Sequence, residues 1–207
     1  VELEKFEVSK RENILKKNNM QDKKFLLFLG RINEKKGIEL LLESFLNILK
    51  KQNELVLVLA GSGTKEYEIK IKKKVSELGL ENNVIFTGLV TENEKLELLE
   101  SASLFVLTSH SDVHPIAVQD ALTMSLPVVI TKACDYPEVV DYDAGIIVDE
   151  DINQITDAIL EIINDKERLD VMSKNARKIV LEKFQLKIQI KKYEEMYQDV
   201  IKRFNSK

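Results

Sequence analysis

The sequence is poor in the residues that cross-link or interrupt a chain: its 207 residues include one cysteine, three prolines, seven glycines and no tryptophan. A single cysteine excludes an internal disulfide framework and a multi-thiolate zinc site, and it makes a reducing, cytoplasmic compartment the expectation. The scarcity of proline and glycine argues against linkers and low-complexity segments. No apolar run approaches the roughly 20 residues that a membrane-spanning helix needs.

Charged residues are abundant but nearly balanced in sign. Lysine and arginine total 31 against 35 aspartates and glutamates, which gives a net charge of −4. A general nucleic-acid binder is basic on balance, so we expect no nucleic-acid partner. The first residues, Val-Glu-Leu-Glu-Lys-Phe, do not form the apolar core of a signal peptide. A hydrophobic content of 44% is enough to bury the core of one large domain.

Short apolar runs alternate along the chain with longer segments of helical periodicity. The predicted strands cover residues 25–29, 55–60, 84–87, 104–108, 127–131 and 145–148. Because these runs are continuously apolar, each strand is expected to be buried on both faces of a sheet. Strands that alternate with helices indicate a parallel sheet with right-handed crossovers. We therefore predict a doubly wound, Rossmann-like α/β domain of about six strands with helices on both faces.

In such a sheet, ligands bind beyond the carboxyl ends of the strands at the topological switch point. In the common strand order, this point lies between the first and fourth strands, which directs attention to the loops at residues 30–37 and 109–115. The first loop, Gly-Arg-Ile-Asn-Glu-Lys-Lys-Gly, contains Arg31 and Lys36 beside a helix start. Two cations at that position suit a phosphate or diphosphate. The alternative interpretation is a solvated polar turn.

The second loop leads into a helix that we predict to begin near Pro115, with the amides of Ile116 and Ala117 directed into the same crevice. Asp112 precedes this helix and Asp120 lies within it. Eight residues span about 12 Å along a helix axis, which is wider than the roughly 5–9.5 Å of a glycosidase carboxylate pair. We interpret the two carboxylates as separate anchors for an extended ligand. The alternatives are a helix cap for Asp112 and a solvated position for Asp120.

Three other features have predominantly structural interpretations. His110 and His114 are four residues apart, but the following proline and the loop context disfavour a metal pair, so we predict no metal site. Cys134 lies near a strand end and is predicted to be a buried or partly buried, inert thiol. The C-terminal helix carries an apolar stripe that packs on this domain or faces a partner domain. The stripe consists of Leu186, Ile190, Tyr193, Tyr197, Val200 and Phe204.

Together, these motifs resemble the C-terminal domain of a retaining GT-B glycosyltransferase of family four, the glycosyl transferases group 1. Residues 28–45, F-L-G-R-I-N-E-K-K-G-I-E-L-L-L-E-S-F, resemble the family's donor-phosphate motif. Residues 84–90, V-I-F-T-G-L-V, resemble the strand and loop that meet the nucleoside base. Residues 112–129 resemble its E-x7-E signature, with Asp112 and Asp120 in the two glutamate positions and Ser125 in place of the usual glycine.

The resemblance implies that Arg31 and Lys36 bind the donor diphosphate and act, together with Asp112, as the catalytic residues. Asp112 would hold the donor sugar and Asp120 the ribose hydroxyls. The donor-binding residues implied are Gly30, Gly88, Leu89, Val90, His114, Pro115, Ile116, Ala117 and Asp120. The implied donor is a UDP- or GDP-linked sugar, transferred with retention and without a divalent metal or another cofactor.

The resemblance also implies a domain organisation. Residues 1–24 would be an interdomain segment, 25–183 the nucleotide-sugar-binding domain, and 184–207 a helix that packs partly on an N-terminal acceptor domain absent from this sequence. The implied full-length enzyme is a hexosyltransferase of polysaccharide, glycolipid or glycoprotein glycan synthesis, compatible with peripheral membrane association. Two alternatives remain: a non-catalytic nucleotide-sugar-binding or interaction module, motivated by aspartate in both glutamate positions, and a nucleotide-sugar isomerase of the same fold.

Overall fold

A computed structural model describes residues 3–6 and 13–205 of the chain. Six parallel strands form a single sheet in the order β3-β2-β1-β4-β5-β6. The strands are β1 (Phe25–Leu29), β2 (Val56–Ala60), β3 (Val84–Gly88), β4 (Leu104–Leu107), β5 (Val128–Thr131) and β6 (Gly145–Val148). This architecture confirms the predicted doubly wound α/β fold.

Helices connect the strands and extend the chain beyond the sheet. They are α1 (Ile14–Lys17), α2 (Ile38–Leu49), α3 (Lys65–Glu77), α4 (Glu92–Ser101), α5 (Ile116–Thr123), α6 (Glu138–Asp141), α7 (Ile152–Asn164), α8 (Lys166–Ile179) and α9 (Leu186–Asn205). Side-chain caps explain the starts of several of these helices. Thr91 and Glu94 form a reciprocal capping box at α4, and Asp151 caps α7 by accepting from two backbone amides.

The core lies on both faces of the sheet. Every residue of β1 and β2 is buried, as the continuous apolar runs predict. On one side, α2 presents a fully buried stripe that includes Ile38, Leu41 and Phe45, and it packs against α7. Burial of each such side chain contributes about 1.5–3 kcal/mol to the free energy of folding. The packed sheet and helices therefore hold the ends of the loops at the edge of the sheet in fixed positions.

The strand order confirms the predicted position of the switch point. β1 pairs with β2 on one side and with β4 on the other, through Leu26 opposite Leu104 and Leu27 opposite Phe105. The chain therefore leaves β1 and β4 side by side at the same edge of the sheet. The loop from β1 to α2 and the loop from β4 to α5 start from these neighbouring strand ends.

The C-terminal helix contrasts with the core because its apolar stripe is exposed. All six stripe residues are exposed, from Leu186 to Phe204, the latter at 81%, so the stripe does not pack on this domain. Residues 1–2 and 7–12 of the predicted interdomain segment, and 206–207 of the predicted C-terminal helix, lie outside the described residues. Within residues 3–6 and 13–205, no helix combines the length and apolarity required to span a membrane.

Candidate functional site

The two loops at the switch point are joined by a tight backbone contact. A 3-10 turn at Glu34–Lys36 ends at Gly37, whose φ is 61°. The Thr108 hydroxyl donates to the Gly37 carbonyl oxygen at 2.9 Å, and the His110 amide donates to the Lys35 carbonyl oxygen at 2.8 Å. A Cβ atom on Gly37 would lie 2.0 Å from the Thr108 carbonyl oxygen. Glycine is therefore required for this approach, in conformation and in space.

Two predicted site residues from the separate loops meet beyond this contact. The Lys36 ammonium forms an ion pair with Oδ2 of Asp112. The Ser109 hydroxyl also donates to that oxygen, at 3.4 Å, and the Asp112 amide donates to the Ala133 carbonyl oxygen at 3.0 Å. Both charged side chains are about one-fifth exposed. The structure thus brings together the predicted phosphate cation and the predicted sugar anchor, in a position open to a ligand.

The start of α5 corrects the capping interpretation of Asp112. The N-cap residue is Pro115, which makes no side-chain cap, and the first turn contains no acidic residue. Because Asp112 is engaged by the neighbouring loops, it does not satisfy the amides of this helix. His114, just before the proline, has a φ of 48°, and its ring lies 4.8 Å from that of Tyr136. Ile116, at the helix start, is exposed.

Asp120 is buried, which contradicts the solvated alternative. It lies within α5 at 8% exposure, and its Oδ2 accepts from the Lys95 ammonium of α4 at 2.9 Å. Burial raises the pKa of Asp120 above its ordinary value, and the Lys95 ammonium opposes that increase. The structure therefore presents Asp120 as half of an interhelical ion pair.

Sequence reasoning missed two residues of this region, Lys95 and Tyr136. Each meets a predicted site residue only through the fold, Lys95 across 25 positions to Asp120 and Tyr136 across the loop to His114. For Lys95 there was one signal in the sequence. It falls within the first turns of the helix that follows the predicted base loop.

The predicted base-binding residues lie at the carboxyl end of β3. Gly88 ends this strand with a φ of 70°, and its carbonyl oxygen accepts from the Gly61 amide at 2.9 Å. Leu89 is exposed, whereas Val90 packs partly against the core. Since β2 and β1 separate β3 from β4, this loop lies to one side of the Lys36–Asp112 pair. The loop leads directly into α4.

Gly30 and Arg31 directly follow β1, at the beginning of the loop that leads to α2. The Gly30 amide donates to the Ala60 carbonyl oxygen at 3.0 Å. Arg31 is exposed and lines a cavity of about 540 Å³ together with Thr64 and Tyr67. The structure thus places the two predicted phosphate cations differently, because Lys36 pairs with Asp112 while Arg31 borders the cavity between the β1–α2 loop and the start of α3.

The remaining sequence predictions concern reactivity. Cys134 is completely buried, which confirms the predicted burial. Burial also raises the pKa of its thiol, and its inertness stays a prediction. His110 contacts Glu150 through Nδ1. In the part of the chain that the structure describes, no group of three or more His, Cys, Asp or Glu side chains is arranged to hold a metal ion.

Comparisons with known proteins agree with this architecture. The family model of glycosyl transferases group 1 matches residues 9–179. YtcC of Bacillus subtilis (strain 168) is 30% identical over 200 residues, which cover 92% of this chain and 49% of that protein. The chain thus spans about half the length of this curated relative.

Solved structures share the fold. The C-terminal domain of the glycosyl transferase group 1 family protein LpcC from Francisella tularensis superposes with a TM-score of 0.75 at 24% identity, over 90% of this chain and 99% of that one. Anabaena Alr3699/HepE in complex with UDP and glucose gives a TM-score of 0.80 at 18% identity, over 95% of this chain and 55% of that one. Because the family model matches most of the length of the chain, the chain belongs to the glycosyl transferases group 1.

Proposed function

We propose that this chain is the donor-binding half of a retaining hexosyltransferase that takes its sugar from a UDP- or GDP-linked donor. The observation that carries the proposal is the meeting of Lys36 and Asp112 at the adjoining ends of β1 and β4. A cation for a diphosphate and a carboxylate for sugar hydroxyls lie there side by side, beside the start of α5. This is the arrangement that a nucleotide sugar requires, since its diphosphate is linked directly to the sugar.

Each charged residue has a role that follows from its chemistry. Lys36 and Arg31 offset the negative charge that grows on the departing diphosphate, a form of stabilisation that is often the largest contribution to catalysis. The uncapped amides at the start of α5, near Ile116 and Ala117, add the positive end of the helix dipole. Asp112 binds the donor sugar, and Asp120 the ribose. The exposed position of Arg31 is compatible with a side chain that turns towards the diphosphate when it binds.

Family membership supports the transferase activity. Two structural neighbours support the nucleotide-sugar donor and the assignment of this chain to a C-terminal domain. The HepE structure contains UDP and glucose on the same fold, and nearly all of the LpcC C-terminal domain matches this chain. Because the chain spans about half of its curated relative, we propose that an N-terminal acceptor domain completes the enzyme. The exposed stripe of α9 supplies an apolar surface for it. The acceptor belongs to polysaccharide, glycolipid or glycoprotein glycan synthesis.

The competing proposal, a non-catalytic nucleotide-sugar-binding module, rests on aspartate in both glutamate positions. It predicts the same donor binding but no transfer. Release of UDP or GDP from the matching donor by a protein that carries both halves distinguishes the two, because a binding module releases none above background.

The binding experiment compares diphosphates with nucleosides. We expect UDP or GDP to bind the chain and to raise its thermal midpoint. Lys36→Ala and Arg31→Ala should each weaken binding of that diphosphate about tenfold, since a hydrogen bond to a charged group contributes roughly 1.5–3 kcal/mol. Uridine or guanosine affinity should change less than about twofold, because nucleosides carry no phosphate.

Lys51→Ala is the matched control, since Lys51 is an exposed lysine just beyond the opposite end of α2. It should leave both affinities unchanged. Equal losses of nucleoside and diphosphate binding in the Lys36 and Arg31 variants would remove their assignment to phosphate. The absence of binding by every nucleotide would remove the donor site itself.

A further inference from the structure

The ion pair between Lys95 and Asp120 joins two helices that flank the candidate site. Lys95 Nζ lies 2.9 Å from Asp120 Oδ2 and 2.8 Å from Glu92 Oε1. The Lys95 side chain is 18% exposed and that of Asp120 is 11% exposed, whereas Glu92 is largely in solvent. The lysine therefore reaches from the first turn of its own helix α4 to a buried carboxylate on α5.

The Lys95–Asp120 pair lies between two loops of the candidate site, one before each of the helices that it joins. Helix α4 begins immediately after the loop at residues 88–90, and α5 begins immediately after the loop that carries Asp112, the partner of Lys36. In every nucleoside diphosphate, the ribose lies between the base and the phosphates. A bridge between the base loop and the phosphate end is therefore the place where the ribose hydroxyls arrive.

Lys95 affects both the orientation and the charge of the Asp120 carboxylate. An aspartate is one methylene shorter than a glutamate and rotates about its Cβ–Cγ bond, so one oxygen held by Lys95 fixes the direction of the other. Burial alone raises the pKa of Asp120, and an unpaired buried carboxylate would also repel a diphosphate. The Lys95 ammonium opposes that increase and offsets the negative charge of the carboxylate.

We propose that Lys95 is a positioning residue for ribose recognition: it holds Asp120 by one carboxylate oxygen so that the other accepts from the 2′- and 3′-hydroxyls. The inference rests on the proposed function, because it presupposes that a ribonucleotide occupies this site. It assigns the ribose preference to the two-residue pair rather than to Asp120 alone.

The test measures discrimination between ribonucleotide and deoxyribonucleotide by the 207-residue chain. Dissociation constants of UDP and 2′-deoxy-UDP, and of GDP and 2′-deoxy-GDP, are obtained by calorimetry. For the base that binds, we expect the unmodified chain to prefer the ribonucleotide about tenfold, the value of one hydrogen bond to a charged acceptor. Asp120→Asn and Lys95→Met should each reduce this preference to less than about threefold, and the double variant should show no further reduction.

Two further variants separate positioning from a structural role. Lys95→Arg keeps a cationic donor and should restore most of the preference. Lys74→Met removes the lysine of another half-buried interhelical pair, Lys74 with Glu43 at 2.6 Å between α3 and α2. It should lower the thermal midpoint as Lys95→Met does, but leave the ribose preference intact. A purely structural Lys95 would behave like Lys74.

The outcomes distinguish the inference from the proposed function. If the unmodified chain prefers the ribonucleotide and Lys95→Met keeps that preference while Asp120→Asn loses it, the positioning role is wrong and the donor site stands. If Lys95→Met does not fold, Lys95→Gln takes its place, and a folded Lys95→Gln chain that keeps the ribose preference overturns the positioning role. Loss of the preference in a folded Lys95→Arg chain also contradicts it. A chain that binds no nucleotide overturns both.

Discussion

The contact between Gly37 and the end of β4 makes a quantitative prediction. Replacement of Gly37 by alanine places a Cβ atom 2.0 Å from the Thr108 carbonyl oxygen and 3.0 Å from its carbon. Neither neighbour can turn away, because both belong to the backbone of a buried strand end. The two loops must therefore separate by about 1.4 Å before this carbon–oxygen contact reaches an ordinary van der Waals distance.

The cost follows from two contributions. A left-handed conformation costs an L-residue roughly 1–2 kcal/mol, and Gly37 has a φ of 61°. Separation of the loops breaks the hydrogen bond from the Thr108 hydroxyl to Gly37 and strains that from the His110 amide to Lys35, at roughly 1–3 kcal/mol for a buried group left unpaired. We expect Gly37→Ala to lower the free energy of unfolding by about 2–5 kcal/mol.

Gly79 is the matched control. It follows α3 with a φ of 68°, and nothing lies within 4 Å of the position of its Cβ atom. Gly79→Ala therefore measures the conformational contribution alone, about 1–2 kcal/mol. Urea unfolding of both variants, followed by far-UV circular dichroism and extrapolated linearly, supplies the comparison. Equal losses of unfolding free energy in the two variants would refute the argument that the close approach of the two loops requires a residue without a side chain at position 37.

Three other expectations concern separate features. Ser125 has a φ of 62°, so Ser125→Gly should raise the free energy of unfolding by about 1 kcal/mol in urea titrations; a loss would show that the serine makes a compensating contact. Cys134 is completely buried and its thiol pKa is raised by burial, so Ellman's reagent should modify it only when the chain unfolds, and immediate reaction in native buffer would contradict this. EDTA should leave the affinity for UDP or GDP unchanged, because Lys36 and Arg31 supply the cations in our proposal; a strong reduction on chelation would show that a metal ion participates.

The sheet could be predicted from the sequence because its signal is local. A strand that is buried on both faces must be continuously apolar, and β1 and β6 have the bounds that their apolar runs predict. Strand alternation with helices then determines parallel pairing, and the common strand order places the switch point between β1 and β4. The two loops to inspect follow from that order alone.

The pairing of side chains within the site could not be predicted in the same way. Lys36 meets Asp112 across 76 positions and Lys95 meets Asp120 across 25, and neither separation corresponds to a helix or strand period. The capping interpretation of Asp112 was wrong because the tight turn at His114 and Pro115 carries the carboxylate away from the amides of α5. The short helices α1 and α6, each a single turn, have too few residues to show a periodic pattern.

The Lys36–Asp112 pair has a consequence for selectivity. Since the lysine already has a carboxylate partner within the fold, an incoming anion competes with that partner instead of meeting an isolated charge. A small anion can replace the carboxylate on Lys36 but leaves Asp112 without its ammonium partner, and an uncharged sugar can donate to Asp112 but leaves Lys36 without an anion. In our proposal, only a molecule that joins phosphate and hydroxyl groups in one frame replaces both partners at once, so we expect the pair to favour whole nucleotide sugars over their fragments.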